Sequence, residues 1–296
     1  MKYAFIAAHQ KEFPVLRMCQ VLNVSESGYY AWCKREPSQR KQEDEHLGKL
    51  IEDAYQNNPQ VYGSPRVHAE LKEQGVHCGR KRVARLMRER GISAKTKRRK
   101  VKTTDSQHTN PVAPNLLKRE FTADAPNTKW VADITGIGTA EGWLSVAAIV
   151  DIYSRLVVGW AMSKERDEQL VTKAAEMAIT QRRPGASLIH HSDRGSQYTS
   201  QGYLTLLKET GIQVSMSGKG DCYDNALMES FFGTLKEECV ERQSYQTRAE
   251  ARNAVFECIE VFYNRQRKHS SLGYVSPVTY EQMRGGRELR AVARSG

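Results

Sequence analysis

Residues 128–162 constrain the fold of this chain more tightly than any other segment. Apolar runs separated by the turns TAEGW and YSR predict three strands, near 130–136, 144–152 and 156–162. Helices and short apolar strands alternate after that point: a helix near 167–181, a strand in ASLIHHSD, a helix near 200–210 and a strand in IQVSMS. Three antiparallel strands followed by this alternation predict an α/β fold, a mixed sheet with flanking helices.

The segment ALMESFFGTLKEE, residues 226–238, predicts a helix near 224–240 with one apolar face. Glu229 lies about 130° from the middle of the apolar stripe. Lys236 follows seven residues later, and in an α-helix it points within about 20° of the same direction. A single glutamate in such a place is ordinarily a solvated surface residue, so further acids are needed to indicate a site.

Two aspartates in the same region supply those acids. Asp133 interrupts the first predicted strand, and Asp193 ends the fourth, after LIHHS. An ionised aspartate is seldom buried unless it is paired or bound to a metal ion. Each alone could be a turn residue or a cap, and Asp193 stands before RGSQ, where a turn is an equally good interpretation. Together with Glu229 they favour an acidic site.

The charge of the chain is uneven, which bears on its partner. The net charge is +11, and residues 1–120 hold 24 Lys and Arg against 13 Asp and Glu, while residues 121–296 hold 21 of each. This asymmetry predicts that the front half binds a polyanion, most simply nucleic acid. The six cysteines form no CxxC pair, and no apolar run approaches the roughly 18 residues of a membrane span. We expect a cytoplasmic, nucleoid-associated protein.

Two helical pairs are predicted before residue 94. The first, in FPVLRMCQVLNVSESGYYAWCKR, has Ser25 as a helix cap and is either a helix-turn-helix or a plain helical hairpin. In the second, Ser64 is predicted to cap a helix that begins at Pro65. The next helix, between Gly79 and Gly91, is strongly basic, and either contacts DNA or is a solvated surface helix. Its candidate DNA contacts are Arg80, Lys81, Arg82 and Arg85.

The resulting domain limits follow changes of composition along the chain. They are a helix-turn-helix-like segment at 1–45, a second helix-turn-helix-like DNA-binding domain at 46–93, a basic linker at 94–121, an α/β core that contains the three acids at 122–242 and a C-terminal helical extension at 243–296.

The three acids and the text around them carry a family resemblance. Asp193 and Glu229 are separated by 35 residues, and this spacing resembles the DD(35)E constellation of integrase-like transposases. The stretches HSDRGSQYTS, MSGKGDCYDNALMESFFGTLKEE, YNRQRKHSSLGYVSPVTYE and YGSPRVHAEL resemble the second-reading-frame protein, OrfB, of the IS-three family of bacterial insertion sequences. The resemblance covers nearly the whole chain. The HHCC zinc module of retroviral integrases has no counterpart in the sequence.

This resemblance implies an RNase-H-like catalytic core that uses Asp133, Asp193 and Glu229 to hold two Mg²⁺ ions, with Mn²⁺ as a substitute and Asp133 as the bridging ligand. It also implies that Lys236 contacts DNA near the cleaved end. The chemistry of the residues agrees independently, because two hard cations held by carboxylates can activate the attacking oxygen and stabilise the leaving oxygen in phosphoryl transfer.

Weaker candidates lie around these acids. His191 is expected to brace Asp193, to touch DNA or to be structural, and Asn225 to cap its helix or line the cleft. Arg265, Arg267, Lys268 and His269 form a basic cluster that is expected to contact the DNA backbone.

The predicted function is that of a DNA transposase that performs metal-dependent 3′-end cleavage and strand transfer. Its expected partners are the ends of the insertion sequence, target DNA, further copies of itself in a synaptic complex, and the upstream-frame protein OrfA or a fusion with it. The alternatives are a helix-turn-helix regulator with an inactive RNase-H-like domain, and a nuclease of the same fold.

Overall fold

The structure is a computed structural model that describes residues 1–94, 113–218 and 225–285. Most of the predicted basic linker, residues 95–112, lies outside the described residues. Across the described ranges, no helix is long and apolar enough to cross a membrane.

A five-stranded sheet forms the centre of the catalytic half. Its strands are β1 (Lys129–Thr139), β2 (Gly142–Asp151), β3 (Val157–Ser163), β4 (Ile189–Ser192) and β5 (Gln213–Met216). Their order is β3-β2-β1-β4-β5, in which β1, β2 and β3 pair antiparallel while β4 and β5 run parallel to β1. The mixed sheet predicted from the sequence is therefore confirmed.

Helices lie before, between and after the strands. In chain order they are α1 (Lys2–His9), α2 (Val15–Val21), α3 (Glu26–Cys33), α4 (Gln39–Gln56), α5 (Ser64–Glu73), α6 (Arg80–Glu89), α7 (Glu168–Arg182), α8 (Gln201–Glu209), α9 (Ala226–Thr234), α10 (Arg248–Phe256) and α11 (277–285).

The two faces of the sheet belong to two different cores. Residues such as Trp130 and Ile134 of β1 pack toward α7, where Gly159 of β3 permits a close approach. A Cβ atom on Gly159 would stand 2.2 Å from the carbonyl oxygen of Ala174 in α7. The alternate residues of β1, such as Val131, face the core that contains α9 and α10. Both faces are thus covered, as the apolar strands require.

The front helices form two separate packing units. Helices α1 to α3 share a small core that contains Ile6 and Tyr29, and Ser25 caps α3 by accepting from the Gly28 N–H at 3.0 Å. Helices α4 to α6 pack with the main core instead. Two helices were not predicted from the sequence: α1, which is short and has no side-chain cap, and α4, which is mostly polar.

Three predictions about helix caps and domain limits need correction. Gly63, rather than Ser64, occupies the N-cap of α5, and Ser64 is its first helical residue. The domain limit drawn between residues 45 and 46 falls inside α4, so the change of core lies between Cys33 and Gln39 instead. The limit at 242/243 also divides one continuous core, since Val255 and Phe231 belong to the same apolar cluster.

Helices α9 and α10 each widen into a π-helical segment, Leu235–Val240 and Glu257–Gln266 respectively. A disulfide between Cys239 and Cys258 joins these two segments. The cysteine spacing did not indicate this bond, because the two residues are 19 positions apart and meet only through helix packing.

The predicted DNA-contacting cluster at 265–269 is largely internal. Arg267 is 6% exposed and donates two hydrogen bonds of 2.7 Å to the carboxylate of Glu238. Arg66 of α5 donates to the same carboxylate at 3.1 Å. Burial alone would raise the pKa of Glu238, but the two guanidinium groups lower it below its usual value. The cluster thus joins the front helices to the π-helical end of α9.

Lys268 and His269 follow the same pattern, and their burial and internal partners disfavour the predicted contact with the DNA backbone. The ammonium of Lys268 pairs with Glu73 and, at 3.3 Å, with Glu70. The His269 ring is buried, lies 4.8 Å from the Tyr263 ring between centroids, and has the Arg267 guanidinium 3.3 Å from its nitrogens. Arg265, by contrast, is exposed and keeps the predicted role open.

The last described helix, α11, is held against α7 by hydrogen bonds. Glu281 of α11 accepts hydrogen bonds of 2.8 and 2.9 Å from Arg182 and one of 2.6 Å from the Ser154 hydroxyl. Ser276 precedes the helix, and its hydroxyl accepts from the Thr279 N–H at 3.3 Å. The C-terminal segment therefore packs against the strand-bearing half at two places.

The buried His269 predicts a pH-dependent stability. Burial, together with the nearby Arg267, lowers the pKa of His269 to about 2, whereas the unfolded chain protonates it near pH 6.5. Between those values only the unfolded state binds the proton, so acid favours unfolding. Lowering the pH from 7.5 to 5.5 should cost about 1.4 kcal/mol of unfolding free energy through this residue.

Urea unfolding of the wild type and His269→Gln at both pH values measures this contribution. The pH dependence of the variant should be smaller by about that amount. His77→Gln, at an exposed histidine, is the control and should keep the wild-type dependence. An unchanged dependence in His269→Gln would show that this histidine binds its proton equally well in the folded and unfolded states.

Candidate active site

The parallel pairing of β1 and β4 aligns two aspartates. The register matches Trp130 with His190 and Val131 with His191. Two residues further along both strands, Asp133 and Asp193 come level with each other. Side chains two residues apart in a strand share a face, so the Asp133 carboxylate is on the same side as Val131, toward the core that contains α9.

Helix α9 presents the third acid over this end of the sheet. Its buried residues are Leu227, Met228, Phe231 and Phe232. Glu229, in the first turn, is exposed, which agrees with its predicted direction away from the apolar stripe. The helix packs against β1, and the charge of Glu229 acts on Asp133.

The electrostatics of Asp133 show that the three acids share one environment. Burial, then the charge of Asp193 and to a smaller extent that of Glu229, raises the pKa of Asp133 to about 7. The Ile134 N–H, 2.7 Å from Oδ1 of Asp133, and the guanidinium of Arg166 act in the opposite direction. The Ile134 N–H is available because β4 ends before this point of β1.

The carboxylates of Asp133, Asp193 and Glu229 suit a hard divalent cation. Their negative charges repel one another, and such an ion would neutralise that repulsion. Nowhere in the described ranges, however, do three or more His, Cys, Asp or Glu side chains stand close enough together to hold a metal ion. The turn interpretation of Asp193 also has a basis, since its Oδ1 accepts from the Gly195 N–H at 2.9 Å. The acids are therefore neighbours without a closed coordination shell.

The His191 side chain links two strands of the sheet. Its side chain is fully buried, with Nδ1 2.8 Å from the Ser215 hydroxyl and Nε2 3.2 Å from the Ser217 hydroxyl. Both serines belong to β5 or follow it directly, so the histidine ties β4 to β5. This placement favours the structural interpretation among the three that the sequence left open.

Asn225 occupies the N-cap position of α9 but makes no side-chain capping hydrogen bond. Its Oδ1 atom is buried without a hydrogen-bond partner among the residues that the structure describes. Lys236 lies half-buried in the π-helical segment that follows α9. The wider π-turn moves Lys236 further from the direction of Glu229 than an α-helix would.

The basic helix α6 divides into paired and exposed side chains. Arg82 and Arg85 both donate at 2.6 Å to the carboxylate of Asp44 in α4, so part of their charge is neutralised within the protein. Arg80 and Lys81 are exposed and have no ion-pair partner among residues 1–94, 113–218 and 225–285. The DNA-contact prediction therefore fits Arg80 and Lys81 better than Arg82 and Arg85.

Two residues beside the acids, Tyr198 and Arg166, were not predicted from the sequence. Tyr198 is buried, and its pKa is raised well above the usual value by burial and then by the charges of Asp133 and nearby groups. Arg166, between β3 and α7, reaches the Ile134 carbonyl with Nη2 at 3.5 Å. Neither carries a sequence signal, because only the sheet brings them next to Asp133.

Comparison with known proteins gives relatives along nearly the whole chain. The insertion element IS600 uncharacterized 31 kDa protein of Shigella sonnei is 49% identical over 265 residues, covering 90% of this chain and 97% of that protein. Transposase InsF for insertion sequence IS3A, from Escherichia coli strain K12, is 43% identical over 283 residues, covering 95% of this chain and 98% of that protein.

Among solved structures, the chain is similar to the HTLV-2 integrase catalytic core domain in complex with magnesium. That similarity has 17% identity and a TM-score of 0.41, and covers 53% of this chain and 97% of that one. A simian T-cell lymphotropic virus intasome in complex with the PP2A regulatory subunit B56 gamma gives 16% identity and a TM-score of 0.45, with 60% of each chain covered.

Family models match three parts of the chain. An HTH-like domain matches residues 41–100, and two integrase core domain models match residues 123–222 and 210–277. The second of these extends through the widened helices to Pro277, in agreement with the continuous core seen there. On this similarity over nearly its whole length, the chain belongs to the IS3 family of insertion-sequence transposases.

Proposed function

We propose that this protein cleaves the 3′ ends of its insertion sequence and joins them to target DNA. The observation that carries the proposal is the alignment of Asp133, inside β1, with Asp193, directly after β4, with Glu229 of α9 sharing their environment. In the first reaction, water attacks a phosphodiester, a new P–O bond forms, and the 3′ oxygen leaves as a hydroxyl. In the second, that hydroxyl attacks another phosphodiester in the same way.

Asp133, Asp193 and Glu229 are the residues that would hold Mg²⁺, or Mn²⁺ in its place, with two ions per site. Such ions supply charge neutralisation at the phosphate and a more acidic attacking water. The protein's own contribution is to fix the carboxylates: the Ile134 N–H orients Asp133, and the Gly195 N–H orients Asp193. The apolar face of α9 fixes the helix from which Glu229 projects.

The DNA itself is proposed to lie across Lys236, the exposed residues of α6 and Arg265. The excess of positive charge in residues 1–120 supports a phosphate-contacting surface there. We also propose that two or more copies act together to hold both element ends, and that the upstream-frame protein OrfA, alone or fused, completes the active form. A regulator with an inactive core is disfavoured, because all three acids are present and share one environment.

The central prediction concerns Asp193→Asn. This change keeps the size and the turn-forming side-chain oxygen but removes a negative charge, so cation binding should fail while DNA binding persists. On supercoiled DNA with the element's own ends and Mg²⁺, cleavage and joining should fall more than about 100-fold. Asp53→Asn, at an exposed aspartate of α4, is the matched control and should react as the wild type does.

If the wild type alone is inactive, the same pair of variants is tested in the fusion with the upstream frame. Joined products formed by Asp193→Asn at the wild-type rate would reject the site. Hydrolysis without any joining by the wild type would instead support the nuclease alternative.

Lys236→Ala should weaken binding to element ends without changing the metal dependence of cleavage. Loss of one phosphate contact should reduce the slope of log affinity against log salt by about 1. Fluorescence anisotropy with labelled end DNA measures both the affinity and the slope. Lys208→Ala, at an exposed lysine of α8, is the control, and equal slopes for the two variants would reject the assignment of Lys236.

The exposed end of α6 gives a parallel prediction. The double variant Arg80→Ala/Lys81→Ala should reduce the same salt slope by about 2, because two phosphate contacts are lost. Lys173→Ala/Lys208→Ala removes the same charge from exposed helix positions elsewhere and should leave the slope unchanged. A similar reduction for both double variants would mean that only net charge matters.

A further inference from the structure

Arg166 is held beside the acids by contacts of its backbone. The residue lies between β3 and α7, and the next residue, Asp167, caps α7 by accepting from the Leu170 N–H at 3.1 Å. The carbonyl oxygen of Arg166 accepts from Nε2 of Gln197 at 2.8 Å. Gln197 belongs to the turn that begins at Asp193, so the position of Arg166 is fixed relative to that carboxylate.

The side chain of Arg166 reaches the other aspartate. Its Nη2 atom approaches the carbonyl oxygen of Ile134 at 3.5 Å, while the N–H of the same residue is taken by Asp133. Carbonyl and N–H of one strand residue point to the same edge. The guanidinium and the Asp133 carboxylate therefore sit next to each other on the edge of β1, beyond the end of β4.

The contacts of this guanidinium leave most of its hydrogen-bonding capacity unused. A guanidinium has five N–H donors, and the single bond to Ile134 is at the upper distance limit of a hydrogen bond. Arg166 is exposed and has no ion pair within 4.0 Å in the part of the chain that the structure describes. Arg267, in contrast, donates two hydrogen bonds to the carboxylate of Glu238. Arg166 thus stands at the acids with donors available to an anion.

We propose that Arg166 binds the DNA strand in the active site, by donating to a non-bridging oxygen of a phosphate within one nucleotide of the phosphodiester that is attacked. This inference rests on the proposed function, because it takes Asp133 and Asp193 as the place of attack. A planar guanidinium suits a phosphate, to which it can donate two parallel hydrogen bonds. The contact would hold the strand against the edge of β1.

The test measures whether the contribution of Arg166 to DNA affinity depends on one particular phosphate. End DNA is prepared with one neutral methylphosphonate at a time, at each phosphate flanking the attacked one. Affinities are measured by anisotropy for the wild type, Arg166→Ala, Arg166→Lys and the control Lys164→Ala. Lys164 is an exposed lysine two residues earlier in the same segment.

Arg166→Ala should bind unmodified DNA about 10- to 100-fold more weakly than the wild type does. At one position within a nucleotide of the attacked phosphate, methylphosphonate should weaken the wild type by a similar factor and leave Arg166→Ala unchanged. Arg166→Lys should restore part of the affinity, and Lys164→Ala should follow the wild type at every position. Thermal unfolding of each variant checks that the fold is intact.

Two outcomes would overturn the proposal. One is that Arg166→Ala binds as Lys164→Ala does. The other is that Arg166→Ala binds weakly but remains sensitive to every methylphosphonate, which indicates a purely structural role. Because binding is the readout, this result is separate from the cleavage assay with Asp193→Asn. Failure of cleavage in both the wild type and its fusion with the upstream frame would contradict the proposed function and leave the phosphate coupling measurable.

Discussion

The parallel pairing of β1 with β4 is the constraint on which the site depends. Only a few residue pairs, ending at Val131 and His191, join these strands, yet they bring two carboxylates 60 positions apart in sequence to the same level. His191 reinforces the pairing from the other side by binding two serines at β5. A shift of one residue in this register would turn one aspartate to the opposite face of the sheet.

The third acid reaches the site through packing at a distance from it. Glu229 is placed by α9, and α9 is placed by its apolar face and by the π-helical segment at its end. That segment carries Glu238, which binds Arg267 and Arg66, and Cys239, which is joined to Cys258. Removing one partner of a buried ion pair costs about 3–5 kcal/mol, so the C-terminal segment supports the catalytic helix rather than serving as an appendage.

Charged side chains are arranged differently in two parts of the molecule: basic ones pair with acids, whereas the acids of the site lie close to one another. Some of the basic side chains are paired with acids inside the protein, as with Arg82 and Arg85 at Asp44, and Lys268 at Glu70. These pairs hold helices together and leave less charge for a polyanion. At the acidic site the balance is reversed, because like charges are kept close and the pKa of Asp133 rises to about 7. That repulsion is a cost to the fold and makes the site receptive to a cation.

The sequence by itself determined the five strands and most of the helices. Alternating apolar runs gave the strands, helical periodicity placed Glu229 off the apolar face of α9, and aspartates inside apolar segments marked the site. The sequence did not predict the surroundings of a residue where those surroundings come from distant segments of the chain. The run of basic residues at 265–269 reads as a surface cluster, and Arg166 reads as an ordinary surface charge. Only the tertiary structure decided that Arg267 is buried against Glu238 and that Arg166 stands at Asp133. Periodicity reports which side of an element is apolar, whereas the partner of a charge is fixed by which elements pack together.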